Sequence, residues 1–166
     1  AGFIGHHLVE HILKTTENEI IILDRLDISG NLNRLTDLDI WEEQKHRVKF
    51  LYCDLRSEVN PQIAREVGQV DYILHLAAST HVDRSISNPM EFVMDNVVAT
   101  TNLLEFARKQ ENLKLFINFS TDEVFGPAKS GYFHKESDPH RPSNPYASSK
   151  AGAVDIGYAY FITYKV

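Results

Sequence analysis

The chain has 166 residues, 43% of them hydrophobic and 24% charged, with a formal net charge of −6. That is the size of one ordinary domain, with a globular composition and enough apolar material for a core. An acidic balance with no Lys/Arg cluster argues against nucleic acid as a partner, and no apolar stretch is long enough to span a bilayer. No signal-peptide pattern opens the chain, and its only cysteine, Cys53, excludes a disulfide framework or a Cys-x-x-Cys site. A cytoplasmic protein with no membrane partner is expected, with Cys53 as a small strand residue.

Ile4, Leu8, Ile12 and Leu13 recur at helical spacing and predict a helix from about Ile4 to Lys14. The β-branched run from Glu19 to Asp24 reads as a buried strand ending in an acid. Ser29-Gly30-Asn31 marks a turn, and the polar stretch to Arg47 has room for one short helix. Val48 to Cys53 is the next strand, closed by Asp54. Pro61 stands at a position tolerated in the first turn of a helix running to about Val67. Val70 to Leu76 reads as a strand, followed by the small-residue loop Ala77-Ala78-Ser79-Thr80. Pro89 starts a long helix through Phe106 or Arg108, and Leu113 to Phe119 is a fourth strand. A polar loop from Gly126 leads to Pro145, which opens a last helix.

Strands separated by helical crossovers imply a parallel sheet covered on both faces. The chain begins at Ala1 and stops at Val166 within an apolar, aromatic segment. A strand is expected before Gly2, so residues 1–166 read as one domain of a longer protein, incomplete at both ends.

Gly2-x-x-Gly5 at a helix start has the form of the tail of a phosphate-binding turn, where glycines admit the backbone to a pyrophosphate and unpaired N–H groups face it. Asp24, 19 positions after Gly5 at a strand end, is placed to accept from an adenosine ribose. Together they point to a dinucleotide, and the acid favours NAD over NADP. Asp54 reads equally as an adenine acceptor or a turn cap. The loop after Leu76 lies at the edge of the sheet where ligands sit, with Ala77 and Ala78 small enough for close passage. His81 in the same loop can meet a substrate phosphate or hydroxyl. His6, His7 and His11 read as a solvated helix face, and no metal is expected.

Tyr146 and Lys150, four apart, share one face of the last helix, and a neighbouring ammonium favours a phenolate. Such a tyrosine takes a proton from an alcohol while hydride leaves the same carbon. The carboxyl pair Asp122-Glu123 supplies a second, separate proton transfer. The alternatives are an exposed helical pair and a plain polar turn.

Four segments in order resemble the extended short-chain dehydrogenase/reductase family, and within it the nucleoside-diphosphate-sugar 4,6-dehydratases. They are Ala1-Gly2-Phe3-Ile4-Gly5; His75-Leu76-Ala77-Ala78-Ser79-Thr80-His81-Val82-Asp83-Arg84-Ser85; Ser120-Thr121-Asp122-Glu123-Val124-Phe125-Gly126; and Asn144-Pro145-Tyr146-Ala147-Ser148-Ser149-Lys150. The chain departs from the family pattern at Ser79, where glutamate is usual, at Asp95, where threonine is usual, and at Ala99 in place of glycine.

The resemblance implies a Rossmann-type doubly wound parallel sheet that binds NAD. It implies that Tyr146 with Lys150 deprotonates a sugar 4-hydroxyl as C4 is oxidised, and that Thr121 bonds the 4-oxygen. Glu123 then removes the C5 proton, Asp122 protonates the departing 6-hydroxyl, and hydride returns at C6. Gly2, Phe3, Ile4, Gly5, Asp24, Arg25, Asp54, Leu55, Leu76, Ala77 and Ala78, with Tyr146 and Lys150, would face the cofactor. Thr80, His81 and Thr121 would face a nucleotide-sugar substrate, with dTDP-glucose the family default, in a homodimer. A 4-epimerase or decarboxylase on the same scaffold, and a non-catalytic NAD-binding module, remain as alternatives.

Overall fold

The computed structural model describes residues 1–166. They divide into two compact units, residues 1–54 with 60–67, and residues 55–59 with 68–166.

The first unit starts with helix α1 (Phe3–Thr15), which leads into strand β1 (Ile20–Asp24). Two one-turn helices follow, α2 (Asn33–Thr36) and α3 (Trp41–Gln44), then a 3-10 turn (Lys45–Arg47) and strand β2 (Val48–Tyr52). Helix α4 (Pro61–Val67) completes it. Strands β1 and β2 pair in parallel, with Ile20 opposite Val48 and Asp24 opposite Tyr52. The α1 stripe buries Val9 and Leu13 with Ala1, Ile22 and Leu35, against which Trp41, Val48 and Phe50 pack. One charged side chain is buried in this unit. The Arg47 guanidinium, buried at the C-terminal end of α1, donates to the carbonyls of Leu13 (3.3 Å), Thr16 (2.6 Å) and Asn18 (2.8 Å) and to Gln44 Oε1 (2.8 Å). Helix-end carbonyls lack intrahelical donors, so one cation satisfies several at once.

In the second unit, strand β3 (Tyr72–His75) pairs in parallel with strand β4 (Leu115–Asn118), Tyr72 opposite Leu115 and His75 opposite Asn118. The crossover between them holds α5 (Val82–Ser87), α6 (Pro89–Phe92), a π-helical turn (Val93–Val98) and α7 (Ala99–Ala107). A 3-10 turn (Asp122–Phe125) follows β4, and the 20-residue helix α8 (Pro145–Tyr164) packs on α5, α6, the π turn and α7. Small side chains let α8 approach closely: Ala147, Ser149, Ala151 and Ala153 are buried, and a Cβ on Gly152 would stand 3.2 Å from Val97. Phe92, Leu103, Leu104 and Phe106 supply the bulk of this core. No helix is long and apolar enough to cross a membrane.

The expected elements are present, with three differences. The stretch before Arg47 forms two short helices and a 3-10 turn rather than one helix. Helix α5 is additional. The long helix begins at Pro89 as expected but carries a π turn at its centre, which widens the backbone by one residue per turn and turns Asp95 and Asn96 inward.

Candidate active site

In the first unit, α1 starts at Phe3 behind Gly2, whose backbone is extended and offers no side-chain cap. The first intrahelical bond of this turn runs from His6 N to Gly2 O (3.1 Å), so the amides of Phe3, Ile4 and Gly5 lie ahead of the helical ladder. A Cβ added at Gly2 or Gly5 would meet nothing within 4 Å, so neither glycine is required by packing inside the chain. Free amides at a helix start are what a phosphate needs. Phe3 and Ile4 in this turn are 70% and 63% exposed.

Asp24 closes β1, and its carboxylate accepts from Leu26 N (2.7 Å). The bond to Leu26 N holds a tight bend in which Leu26 takes a positive φ of 53°. Gly30 makes the bend possible, because a Cβ there would lie 2.8 Å from Leu26 Cα and 3.1 Å from Asp24 Oδ1. Arg25, beside Asp24, donates to Asp27 Oδ2 from Nη2 (2.8 Å) and Nε (3.2 Å) and faces Asp54 Oδ1 at 3.7 Å. Two acids thus engage Arg25.

In the second unit, Tyr146 and Lys150 occupy adjacent turns of α8 and are buried, 8% and 6% exposed. The Tyr146 ring meets Phe92 edge-on, with centroids 6.3 Å apart. Lys150 Nζ donates to the Phe119 carbonyl at 2.5 Å, just beyond the end of β4, and burial draws its pKa below the ordinary lysine value. His75, 3% exposed at the end of β3, is more strongly affected: burial first, then the Lys150 charge, push its pKa down to about 4. Its Nε2 meets Thr100 Oγ1 at 2.9 Å, and Thr100 donates its own proton to Asn96 O, so Nε2 carries the hydrogen of a neutral ring.

Thr121, Asp122 and Glu123 lie on the 3-10 turn packed against α8. Thr121 Oγ1 caps this turn, accepting from Glu123 N (3.3 Å) and donating to Asp122 Oδ1 (3.4 Å). Asp122 is exposed and Glu123 half-buried. Asn144 links the two elements: its Oδ1 caps α8 by accepting from Ala147 N (2.8 Å), and its Nδ2 donates to Glu123 Oε2 (2.9 Å).

The loop after β3 contains half-buried Leu76, Ala78 and Ser79 and exposed Ala77, Thr80 and His81, the last at the start of α5. Asn96, buried on the π turn, holds this loop by both amide atoms: it accepts from Ser79 N (2.9 Å) and donates to Ser79 O (2.9 Å) and Ser149 Oγ (2.8 Å). Its neighbour Asp95, with a side chain 3% exposed, accepts from Ser79 Oγ (2.6 Å) and faces Arg56 at 3.9 Å. Ser79 and Asp95, two of the three departures from the resembled pattern, therefore meet each other. Leu55 is buried, its carbonyl held by Asn102 Nδ2 at 2.8 Å.

The predicted residues thus divide: Gly2 to Gly5, Asp24, Arg25 and Asp54 in the first unit, the remainder in the second. Asn96, Asn144 and His75 are not among the predicted site residues. Asn144 has a local signal, an asparagine directly before a helix-opening proline. Asn96 and His75 have none, since their partners lie 17 to 53 residues away.

Parallel strands joined through helices, with a glycine-opened first helix, define a Rossmann-type α/β fold. The chain belongs to the GDP-mannose 4,6 dehydratase family, whose sequence model matches residues 1–166. The dTDP-glucose 4,6-dehydratase of Salmonella typhimurium is 35% identical over 99% of the chain and 49% of its own length, and the human dTDP-D-glucose 4,6-dehydratase is 37% identical over 99% and 46%. The chain thus spans about half the length of the curated relatives it matches. A crystal structure of the Streptomyces venezuelae dTDP-glucose 4,6-dehydratase with NAD and TYD bound matches with a TM-score of 0.89 and 38% identity, over 100% of this chain and 51% of that one. The UDP-Glc/GlcNAc 4-epimerase of Campylobacter jejuni matches at 0.81 and 32%, over 97% and 46%.

Proposed function

We propose that these 166 residues form the NAD-binding and catalytic part of a nucleotide-sugar 4,6-dehydratase that converts dTDP-glucose to its 4-keto-6-deoxy product in cytoplasmic deoxysugar biosynthesis. The observation that carries this reading is the Thr121-Asp122-Glu123 turn packed against the helix that buries Tyr146 and Lys150. The matched dehydratases and the open glycine turn of α1 support it.

The residues present fit NAD. Free amides of Phe3, Ile4 and Gly5 suit a pyrophosphate, and the Asp24 carboxylate suits ribose hydroxyls. Because Arg25 is engaged by Asp27 and Asp54, the corner offers no free cation to a 2′-phosphate, which favours NAD over NADP. Leu55, Leu76, Ala77 and Ala78 would complete the cofactor's surroundings. When bound, NAD supplies a hydride acceptor that later returns the hydride.

The remaining work falls to the chain's own side chains. Tyr146 takes the proton of the sugar 4-hydroxyl as that carbon is oxidised, with Lys150 supplying positive charge one turn away and Thr121 bonding the 4-oxygen. Burial keeps water from both groups, so the Lys150 charge acts at low dielectric. The 4-keto group acidifies C5, Glu123 removes that proton, and Asp122 delivers one to the departing 6-hydroxyl. Thr80 and His81 face the substrate. An epimerase needs no second acid–base pair, so this turn separates the reading from that of the epimerases with the same fold. Exposed Met90, Val93 and Met94, with Tyr158, Phe161 and Ile162 on α8, support a homodimer.

The test is the product that the intact protein forms from dTDP-glucose and NAD. Loss of one water, with Glu123→Gln retaining oxidation but losing deuterium uptake at C5, is the expected result. A product of unchanged mass and altered stereochemistry would refute it in favour of an epimerase.

A further inference from the structure

The Asn144 side chain has its orientation dictated by the helix it caps. The Ala147 N–H can be accepted only by the amide oxygen, so the amide nitrogen must face the other way. What it faces is Glu123 Oε2 at 2.9 Å, across the loop that joins the 3-10 turn to α8. The second carboxylate oxygen, Oε1, takes no hydrogen bond from the protein. Glu123 is also held at its backbone, by Thr121 Oγ1 at 3.3 Å. One oxygen is therefore fixed, the main chain is fixed, and a single oxygen is left to meet a ligand.

We propose that Asn144 is the positioning residue for Glu123: it orients the carboxylate so that Oε1 faces the C5 proton, and it sets that base in register with Tyr146, two residues along the helix it caps. The assignment rests on the dehydratase reading above. It makes one side chain responsible for both a fold contact and the geometry of the second proton transfer. The two roles separate by substitution, because serine and aspartate cap helices about as well as asparagine but neither carries the amide donor.

The experiment uses the intact protein with NAD and dTDP-glucose. It follows formation of the 4-keto sugar, deuterium uptake at C5 and the melting temperature. Asn144→Ser should melt within about 2 °C of the parent and oxidise the sugar within about threefold, yet lose about tenfold in C5 exchange. Asn144→Asp keeps the cap and adds a favourable charge at the helix N-terminus, so it should melt no lower than the parent. It also sets an anion against Glu123, and exchange should fall about a hundredfold. Stability and exchange moving in opposite directions in this variant is a result that capping alone does not produce. Exchange that tracks oxidation in both variants, or a common loss of melting temperature and both steps, would overturn the assignment and leave Asn144 as a cap. If the parent itself shows no C5 exchange, the dehydratase reading falls, and the role of Asn144 with it.

Discussion

His75 should make the protein acid-sensitive in a defined window. Its ring is neutral in the folded state, with a pKa of about 4 against the ordinary 6.5, because burial excludes water and the Lys150 ammonium disfavours a second cation nearby. Unfolded chains take up a proton below pH 6.5 while folded chains refuse it until about pH 4. Stability from this group is thus fully present above pH 6.5, falls by about 1.4 kcal/mol per pH unit below it, and levels off near pH 4. The total is about 3 kcal/mol, a large share of a typical domain stability. The control is His75→Gln, whose amide nitrogen can still reach Thr100 Oγ1 but does not titrate. Urea unfolding of both proteins between pH 7.5 and pH 4 should give a difference that is flat above 6.5 and shrinks by about 3 kcal/mol by pH 4. The His75 ring resonance should titrate near pH 4 and move upward in Lys150→Met. A pH-independent difference, or a ring that titrates between 6 and 7, would refute the burial argument.

Three further outcomes follow from the geometry. Tyr146→Phe should reduce formation of the 4-keto sugar by at least about a hundredfold in single-turnover assays while leaving NAD affinity within a few-fold, because it removes the proton acceptor and little binding surface. Arg47→Met should cost about 2–4 kcal/mol in urea unfolding, since the carbonyls of Leu13, Thr16 and Asn18 lose their shared donor, and Arg47→Lys should recover only part of it. Gly30→Ala should weaken NAD binding, measured by calorimetry, more than it lowers the melting temperature, because the added Cβ strikes the bend that presents Asp24.

The sequence carries the strands in their β-branched runs, and both Ile20–Asp24 and Val48–Tyr52 fall within a residue of expectation. Strand β3 is shorter than Val70 to Leu76 because its ladder extends only as far as its partner, Leu115–Asn118. Helix α5 has six residues and no apolar stripe, so the Asn88-Pro89 break beside it dominates the pattern. The π turn is invisible to a 3.6-residue period. At the site, Tyr146, Lys150 and the acid pair are legible because their spacing is local. The bonds that orient them are not: Asn144 reaches Glu123 across 21 residues, and Asn96 reaches Ser149 across 53. Nothing in the identity of an asparagine announces a partner that far along the chain.

The π turn at Val93–Val98 also makes the chain unevenly tolerant of length change. Deleting one residue there would restore a regular helix from Pro89 to Ala107 with its two halves in nearly the same phase, because the wide turn is what takes up the extra residue. What would be lost is the inward bulge that brings Asn96 to Ser79 and Ser149 and Asp95 to Ser79. The exposed stretch around Lys129 and Ser130 lies between the 3-10 turn and α8, where an extra residue alters no helical phase. Relatives that differ in length should therefore differ in that loop and keep the residue count of the crossover helix, a pattern that comparative sequencing can check without any assay.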